Sequence, residues 1–200
     1  GGAVINSRDA LIFDYSQRSE TLNPDKENIA RKAAEIIKDN ASVIFDASTT
    51  VEAVIPKLAD KNILAITNSL TNANRLAKNK KADVKLLRGM LHKEQLFLFG
   101  SETIQKIADY HVDYVLLGIF AISDKGVFIH TEEEGLVKRQ MVMQGKKVIA
   151  LADNTKINTT GFFKVCDLAL IDYLITNIPP DDSFIQALRE NDVELILTSV

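Results

Sequence analysis

Two hydrophobic patterns alternate along the chain. Short, largely apolar runs occur at Val43–Phe45, Ile63–Ile66, Val84–Leu87, Tyr114–Leu117, Val148–Leu151, Leu174–Thr176 and Glu194–Leu197. Their length and their content of Val, Ile, Leu and Phe predict strands buried on both faces. Between several of them, apolar residues recur at helical spacing. This predicts helices over Thr49–Leu58, Leu70–Asn79, Phe99–Asp109, Glu132–Met143 and Asp182–Glu190. An earlier helix is signposted by Asn23 as cap, Pro24 in the first turn, and Asp25 and Glu27 near the positive end of the dipole. Its apolar stripe is Ile29, Ala33, Ile36 and Ile37. Pro56 falls inside the first crossover helix and is expected to kink or shorten it. Residues 1–22 lack clear periodicity.

Strands alternating with helices predict an α/β fold, a mainly parallel sheet with helices on both faces. Ligands of such sheets bind beyond the carboxyl ends of the strands. The first strand is followed by Asp46-Ala47-Ser48-Thr49-Thr50, and the second by Thr67-Asn68-Ser69. Arg88-Gly89 follows the third, Gly118 the fourth, Asp153-Asn154-Thr155-Lys156 the fifth, and Thr176-Asn177 the sixth. Taken singly, Ser48 or Thr49 is a helix cap, Asn68 and Ser69 are caps, and Lys156 is a solvated loop charge. Together they place hydroxyls, amides and cations on one edge of one sheet, which suits a small phosphorylated, polyhydroxylated ligand. Glu134 and Lys138 are spaced i,i+4 and share a helix face. They form either an exposed ion pair or a ligand contact, with Lys138 or Arg139 on the charge and Glu134 on a hydroxyl.

Composition narrows the classes. Hydrophobic residues make up 46% and charged residues 26% of 200 residues, enough for the core of one domain. The net charge of −3, with signs interspersed, is poor material for a DNA-binding surface within this chain. No apolar run reaches the roughly 18–20 residues that span a bilayer, so a cytoplasmic protein without membrane contact is expected. The single cysteine, Cys166, sits among apolar neighbours and reads as a buried structural thiol. His92, His111 and His130 show no metal-ligand spacing. No metal or cofactor is expected.

Taken in order, these motifs resemble the C-terminal effector domain of DeoR-family bacterial transcriptional regulators. Asp46-Ala47-Ser48-Thr49-Thr50 is similar to the family's Asp-x-Gly-Thr-Thr loop, and Thr67-Asn68-Ser69 to its Thr-Asn-Ser. Val112-Asp113 through Gly118 looks like its strand ending in Gly. Glu134-Gly135-Leu136-Val137-Lys138-Arg139 looks like its Glu-Ala-x-x-Lys-Arg helix. Ala152-Asp153-Asn154-Thr155-Lys156 looks like its Ala-Asp-x-x-Lys turn, and Leu174-Ile175-Thr176-Asn177 like its Ile-Thr-Asp strand. Three positions depart. Ser48 and Arg88 stand where glycines are usual, and Gly135 replaces a helix-favouring alanine at about 1 kcal/mol in propensity.

The resemblance implies that residues 1–22, with Gly1-Gly2-Ala3-Val4 and Arg18, are a remnant of wing and linker, and that 23–200 form a sensor domain. A winged helix-turn-helix outside this chain would contact operator DNA. The effector would be a phosphorylated sugar, and the protein a repressor acting as a homo-oligomer, dimer or tetramer. The implied ligand set is Asp46, Ser48, Thr49, Thr50, Asn68, Ser69, Arg88, Gly118, Glu134, Lys138 and Lys156, with no catalytic residue. The same fold is similar to that of ribose-5-phosphate isomerases, so an aldose–ketose isomerase is the rival. Those enzymes carry Gly-Ala-Asp-Glu where this chain has Gly118-Ile119-Phe120-Ala121, without a carboxylate. A scaffold that only oligomerises is the third class.

Overall fold

The computed structural model describes residues 24–198. Helix α1 (Pro24–Ile36) precedes β1 (Ala41–Phe45), helix α2 (Thr49–Glu52), a 3-10 turn (Ile55–Leu58) and β2 (Ile63–Thr67). Helix α3 (Leu70–Leu76), β3 (Ala82–Leu86), β4 (Met90–His92), β5 (Phe97–Phe99) and α4 (Ser101–Ala108) follow. Then come β6 (Val112–Gly118), β7 (Ala121–Ser123), β8 (Gly126–Ile129), α5 (Glu132–Val142) and β9 (Gly145–Leu151). The described chain closes with β10 (Phe163–Cys166), β11 (Tyr173–Thr176), α6 (Asp182–Glu190) and β12 (Glu194–Leu197).

Seven strands form one sheet in the order β12-β11-β9-β6-β1-β2-β3, and every neighbouring pair is parallel. The seven expected strands are these seven. In the five inner strands the apolar runs are continuous because alternate side chains enter two different cores. The edge strands β12 and β3 are not buried on both faces as expected: Glu194 on the first and Asp83, Lys85 and Leu86 on the second are exposed. Val43, Phe45, Leu116 and Ile149 join Ile29, Ala33, Val51, Val54 and Leu58 on one face. Ile44, Val115, Leu117 and Val148 join Ile107, Val137, Met141, Phe184 and Leu188 on the other.

Five short strands were not expected. The hairpin β4–β5 and the antiparallel sheet β10-β8-β7 use runs of three or four residues, too short to carry a period. The helix expected from Phe99 starts at Ser101. Phe99 belongs to β5, and Gly100 turns the chain at φ +101, a conformation L side chains rarely adopt. Pro56 splits the first crossover as expected: α2 ends at Glu52 and a 3-10 turn with the proline in its first positions replaces the rest. Asn23, the expected cap of α1, and the wing and linker remnant lie outside the described residues. No helix among the described residues is long and apolar enough to cross a membrane.

Two contacts revise the sequence reading of local detail. Gly135 costs helix propensity, but a Cβ there would lie 2.2 Å from Phe163 Cδ1 and 2.8 Å from its Cε1. The glycine is what lets α5 lie against β10. Arg139, one candidate for the ligand's charge, is used in the same joint. It donates to the carbonyls of Val165 and Lys164 and stands 4.6 Å above the Phe163 ring. Cys166 is buried, and burial pushes its thiol up to about 12.

At the amino ends of the strands, Asp113 on β6 accepts from Ser42 N (2.9 Å) and Ser42 Oγ (2.8 Å) on β1, and from Lys146 Nζ (2.9 Å) on β9. The Ser42 amide, Lys146 and the Ser42 hydroxyl lower its pKa from 3.8 to about 2. A depressed folded-state pKa means that its stabilisation is full above 3.8 and is lost as the pH falls to about 2. Asp113→Asn should therefore flatten the pH dependence of stability in that window, as read by urea unfolding at stepped pH. Gly135→Ala should lower stability by about 1 kcal/mol or more, although propensity alone predicts a gain near 1 kcal/mol. Phe163→Ala should reverse the sign of that effect.

Candidate functional site

Strand β1 lies beside β6, and the chain leaves the two in opposite directions: from β1 to α2 and β2, from β6 towards α5 and β9. That reversal opens a crevice at their carboxyl ends. Asp46, the first residue after β1, stands at its floor with 1% of its surface exposed. Its Oδ1 accepts the Ser48 amide at 2.8 Å, and its Oδ2 accepts the Gly118 amide at 2.7 Å. Lys138 of α5, 5% exposed, donates to the same Oδ2 and to the Gly118 carbonyl at 3.1 Å. Glu134, one turn earlier, lies 3.6 Å from the Lys138 ammonium. The i,i+4 pair is therefore neither exposed nor isolated.

Two residues expected to bind ligand meet here. Asp46 was expected to contact ligand hydroxyls and Lys138 the ligand's charge. Both instead face each other below the surface. A carboxylate and an ammonium withdrawn from water are held where each neutralises the other and the adjoining amides complete their hydrogen bonds. Their place is under the loop after β1.

Ser48 caps α2, its Oγ accepting the Val51 amide at 3.1 Å. Its backbone is extended at φ −81 and ψ 149, so this position needs no glycine freedom. The reason Gly118 ends β6 is next to it: a Cβ there would fall 1.8 Å from Ser48 Oγ. Thr49 and Thr50 follow, half-buried. Their amides, the first two of the helix, have no acceptor among the described residues. Lys26 of α1 donates to Thr49 Oγ1 at 3.4 Å. Sequence reasoning missed Lys26, because it lies in a different element and nothing in its local pattern sets it apart from other helix-surface lysines.

The loop after β2 supports the first from the side. Ser69 caps α3 and shares a hydrogen bond with Thr71 Oγ1 at 2.9 Å. Thr67 Oγ1 donates to the Phe45 carbonyl at 2.8 Å, and Asn72 Nδ2 donates to the Asp46 carbonyl at 2.6 Å. Asn72, fully buried and also missed from sequence, ties α3 to the Asp46 loop. Asn68 is 2% exposed; its Nδ2 donates to Leu98 O at 2.9 Å, while its Oδ1 has no donor among the described residues.

Two expected site residues come from other strand ends of the sheet. Lys156 ends a 3-10 turn (Asn154–Lys156) after β9, one strand from Gly118. That turn is anchored by Asn154 N to Asn177 Oδ1 at 2.8 Å and Asn177 Nδ2 to Asn154 Oδ1 at 3.1 Å. Arg88 is exposed beyond β3, two strands from β1 or roughly 10 Å at the usual strand spacing. Its carbonyl accepts Thr103 Oγ1 at 2.7 Å, and no contact draws its side chain towards the crevice. A separate shallow cleft of about 500 Å³ lies between the β7–β8 turn and α6. Asp124, Asn158, Phe184 and Glu190 line it, and with two acids and no base it is unsuited to an anion. No group of His, Cys, Asp and Glu among the described residues is arranged to hold a metal ion.

Comparison with known proteins gives a consistent assignment. A family described as the DeoR C terminal sensor domain matches residues 23–178. The HTH-type transcriptional repressor GlcR of Bacillus subtilis is 43% identical over 198 residues, 99% of this chain and 77% of that protein. The putative aga operon transcriptional repressor of Escherichia coli O157:H7 is 31% identical, covering 98% of this chain and 75% of its own length. The glycerol-3-phosphate regulon repressor of Escherichia coli K12 is 28% identical, covering 98% and 79%. Among solved structures, ribose 5-phosphate isomerase A from Neisseria gonorrhoeae superposes with a TM-score of 0.50 at 17% identity, over 67% of this chain and 53% of that one. The eIF2B beta subunit from Chaetomium thermophilum gives 0.54 at 19% identity, over 75% and 47%. These two share the fold, and this chain spans about half their length.

If Asp46 and Lys138 act as a buried unit, Lys138→Met should cost roughly 3–5 kcal/mol by leaving the carboxylate unpaired. Asp46→Asn with Lys138→Met should cost clearly less than the sum of the single changes, as measured in a urea-denaturation double-mutant cycle.

Proposed function

This chain belongs to the DeoR C-terminal sensor domain family, and on that premise we propose that it binds a phosphorylated sugar in the crevice between β1 and β6. The phosphate lies over Thr49 and Thr50, against their hydroxyls and amides, with Ser48, Lys26 and Lys156 around it. Asn68 Oδ1, Ser69 and Glu134 take ligand hydroxyls. Asp46, Gly118, Lys138 and Asn72 position the loop rather than touch the ligand. Arg88 serves only a ligand long enough to reach β3.

The observation that carries this reading is electrostatic. Asp46 is engaged by Lys138 below the loop, while the Lys26 ammonium stands 3.4 Å from Thr49 Oγ1. The local field therefore favours an anion. The orphaned Asn68 Oδ1 is a buried acceptor that a ligand hydroxyl would satisfy.

The protein binds and does not turn over in this reading. An aldose–ketose isomerase needs a base to move a proton between adjacent carbons and an acid to serve the oxygens. Here Glu134 faces Lys138, and Gly118-Ile119-Phe120-Ala121 brings no carboxylate. In the full-length repressor the sugar phosphate would favour one arrangement of a homo-oligomer, dimer or tetramer, and so set the spacing of its DNA-binding heads. It does so only through unequal affinity for the two arrangements.

Thermal shift with ribose 5-phosphate, glucose 6-phosphate, glycerol 3-phosphate and inorganic phosphate tests the reading. A ligand at 100 times its dissociation constant should stabilise the chain by about 2.7 kcal/mol. Thr49→Val, Lys26→Ala and Lys156→Ala should each weaken phosphorylated ligands about tenfold or more, as loss of a charge-assisted hydrogen bond implies. The dephosphorylated sugars should change far less. Equal losses for both would refute the phosphate assignment, and enzymatic conversion of ribose 5-phosphate to ribulose 5-phosphate would refute the binding role.

A further inference from the structure

We propose that Phe120 and His130 form an aromatic wall of the crevice that selects ligands with a closed sugar ring over open-chain phosphates. The inference rests on the sugar-phosphate reading and deepens it. Phe120 comes two residues after Gly118, at the carboxyl end of β6, and His130 immediately precedes Thr131, the cap residue of α5. Ten residues separate them in sequence, yet their rings stand 4.8 Å apart at 47°. The hairpin β7–β8 brings them together: Ala121 pairs with Phe128, so the residues flanking the hairpin end side by side.

Their neighbours place the pair beside the site. On one side Gly118 gives its amide to Asp46 and its carbonyl to Lys138. On the other, α5 runs from Thr131 to Glu134, which faces the same Lys138. Both residues are half-buried, and Phe120 packs against the core that holds Ile119 and Ile122. Small-ligand pockets combine a few polar anchors with apolar or aromatic walls.

The chemistry commits to one ligand class. A furanose or pyranose ring has a face of polarised C–H bonds, which packs on the negative face of an aromatic ring. An open three-carbon polyol phosphate has no such face. The pair would therefore contribute to binding of cyclic sugar phosphates and leave the phosphate anchor unaffected.

The test is titration calorimetry on the whole chain with ribose 5-phosphate, glucose 6-phosphate, glycerol 3-phosphate and inorganic phosphate. Phe120→Leu keeps an apolar side chain on the core and removes the ring. It should raise the dissociation constant of the preferred cyclic phosphate about tenfold and leave glycerol 3-phosphate and phosphate nearly unchanged. Phe120→Tyr should restore cyclic-ligand binding, and His130→Ala should act in the same direction as Phe120→Leu. Unchanged cyclic-ligand affinity in both ring-removing variants, or equal losses for all four probes, overturns the wall. A wild type that prefers glycerol 3-phosphate overturns it too while sparing the phosphate reading. A wild type that binds none of the four sinks both.

Discussion

A buried ion pair at the point where the sheet changes direction holds the site together. Asp46 at the end of β1 and Lys138 on α5 are 92 residues apart in the chain, and they meet at Gly118, the end of β6. Withdrawing two charges from water is costly, and such a pair is seldom the best source of stability. What it provides is position. The carboxylate draws in the Ser48 and Gly118 amides, and the ammonium takes the Gly118 carbonyl, so one contact sets the loop after β1, the end of β6 and the register of α5.

Close packing is the second constraint, and it operates through absence of atoms. Gly118 leaves the space Ser48 fills, and Gly135 leaves the space Phe163 fills. In both cases the larger side chain belongs to a distant element. Arg139 also stands over the Phe163 ring, so α5 is held by Lys138 near its middle and along its flank by β10. A helix fixed at two places is a stable platform for Glu134 and for the aromatic pair ahead of it. The same helix would feel any displacement of the ligand loop, since Lys138 reaches that loop through Asp46.

Sequence alone determined the five inner strands, because strands buried on both faces are apolar along their length and the signal is local; the edge strands β3 and β12 were legible from shorter runs interrupted by Lys85 and preceded by Glu194. It also determined most crossover helices, the break at Pro56, and that polar residues gather at the strand ends. The ordered motifs pointed to the DeoR sensor family on the same local evidence. Tertiary structure decided the rest. The five short strands pair across distances that no periodicity records. Lys138 turned inward because Asp46 stands opposite it, a fact carried by the strand order β6-β1 and by neither residue's neighbours. Lys26 and Asn72 joined the site because α1 and α3 pack on the face from which the β1 loop emerges. Arg88 stayed apart because β3 lies two strands away. Periodicity reports which side of an element is buried; what it is buried against depends on long-range pairing, and that is where the chemistry of this site is set.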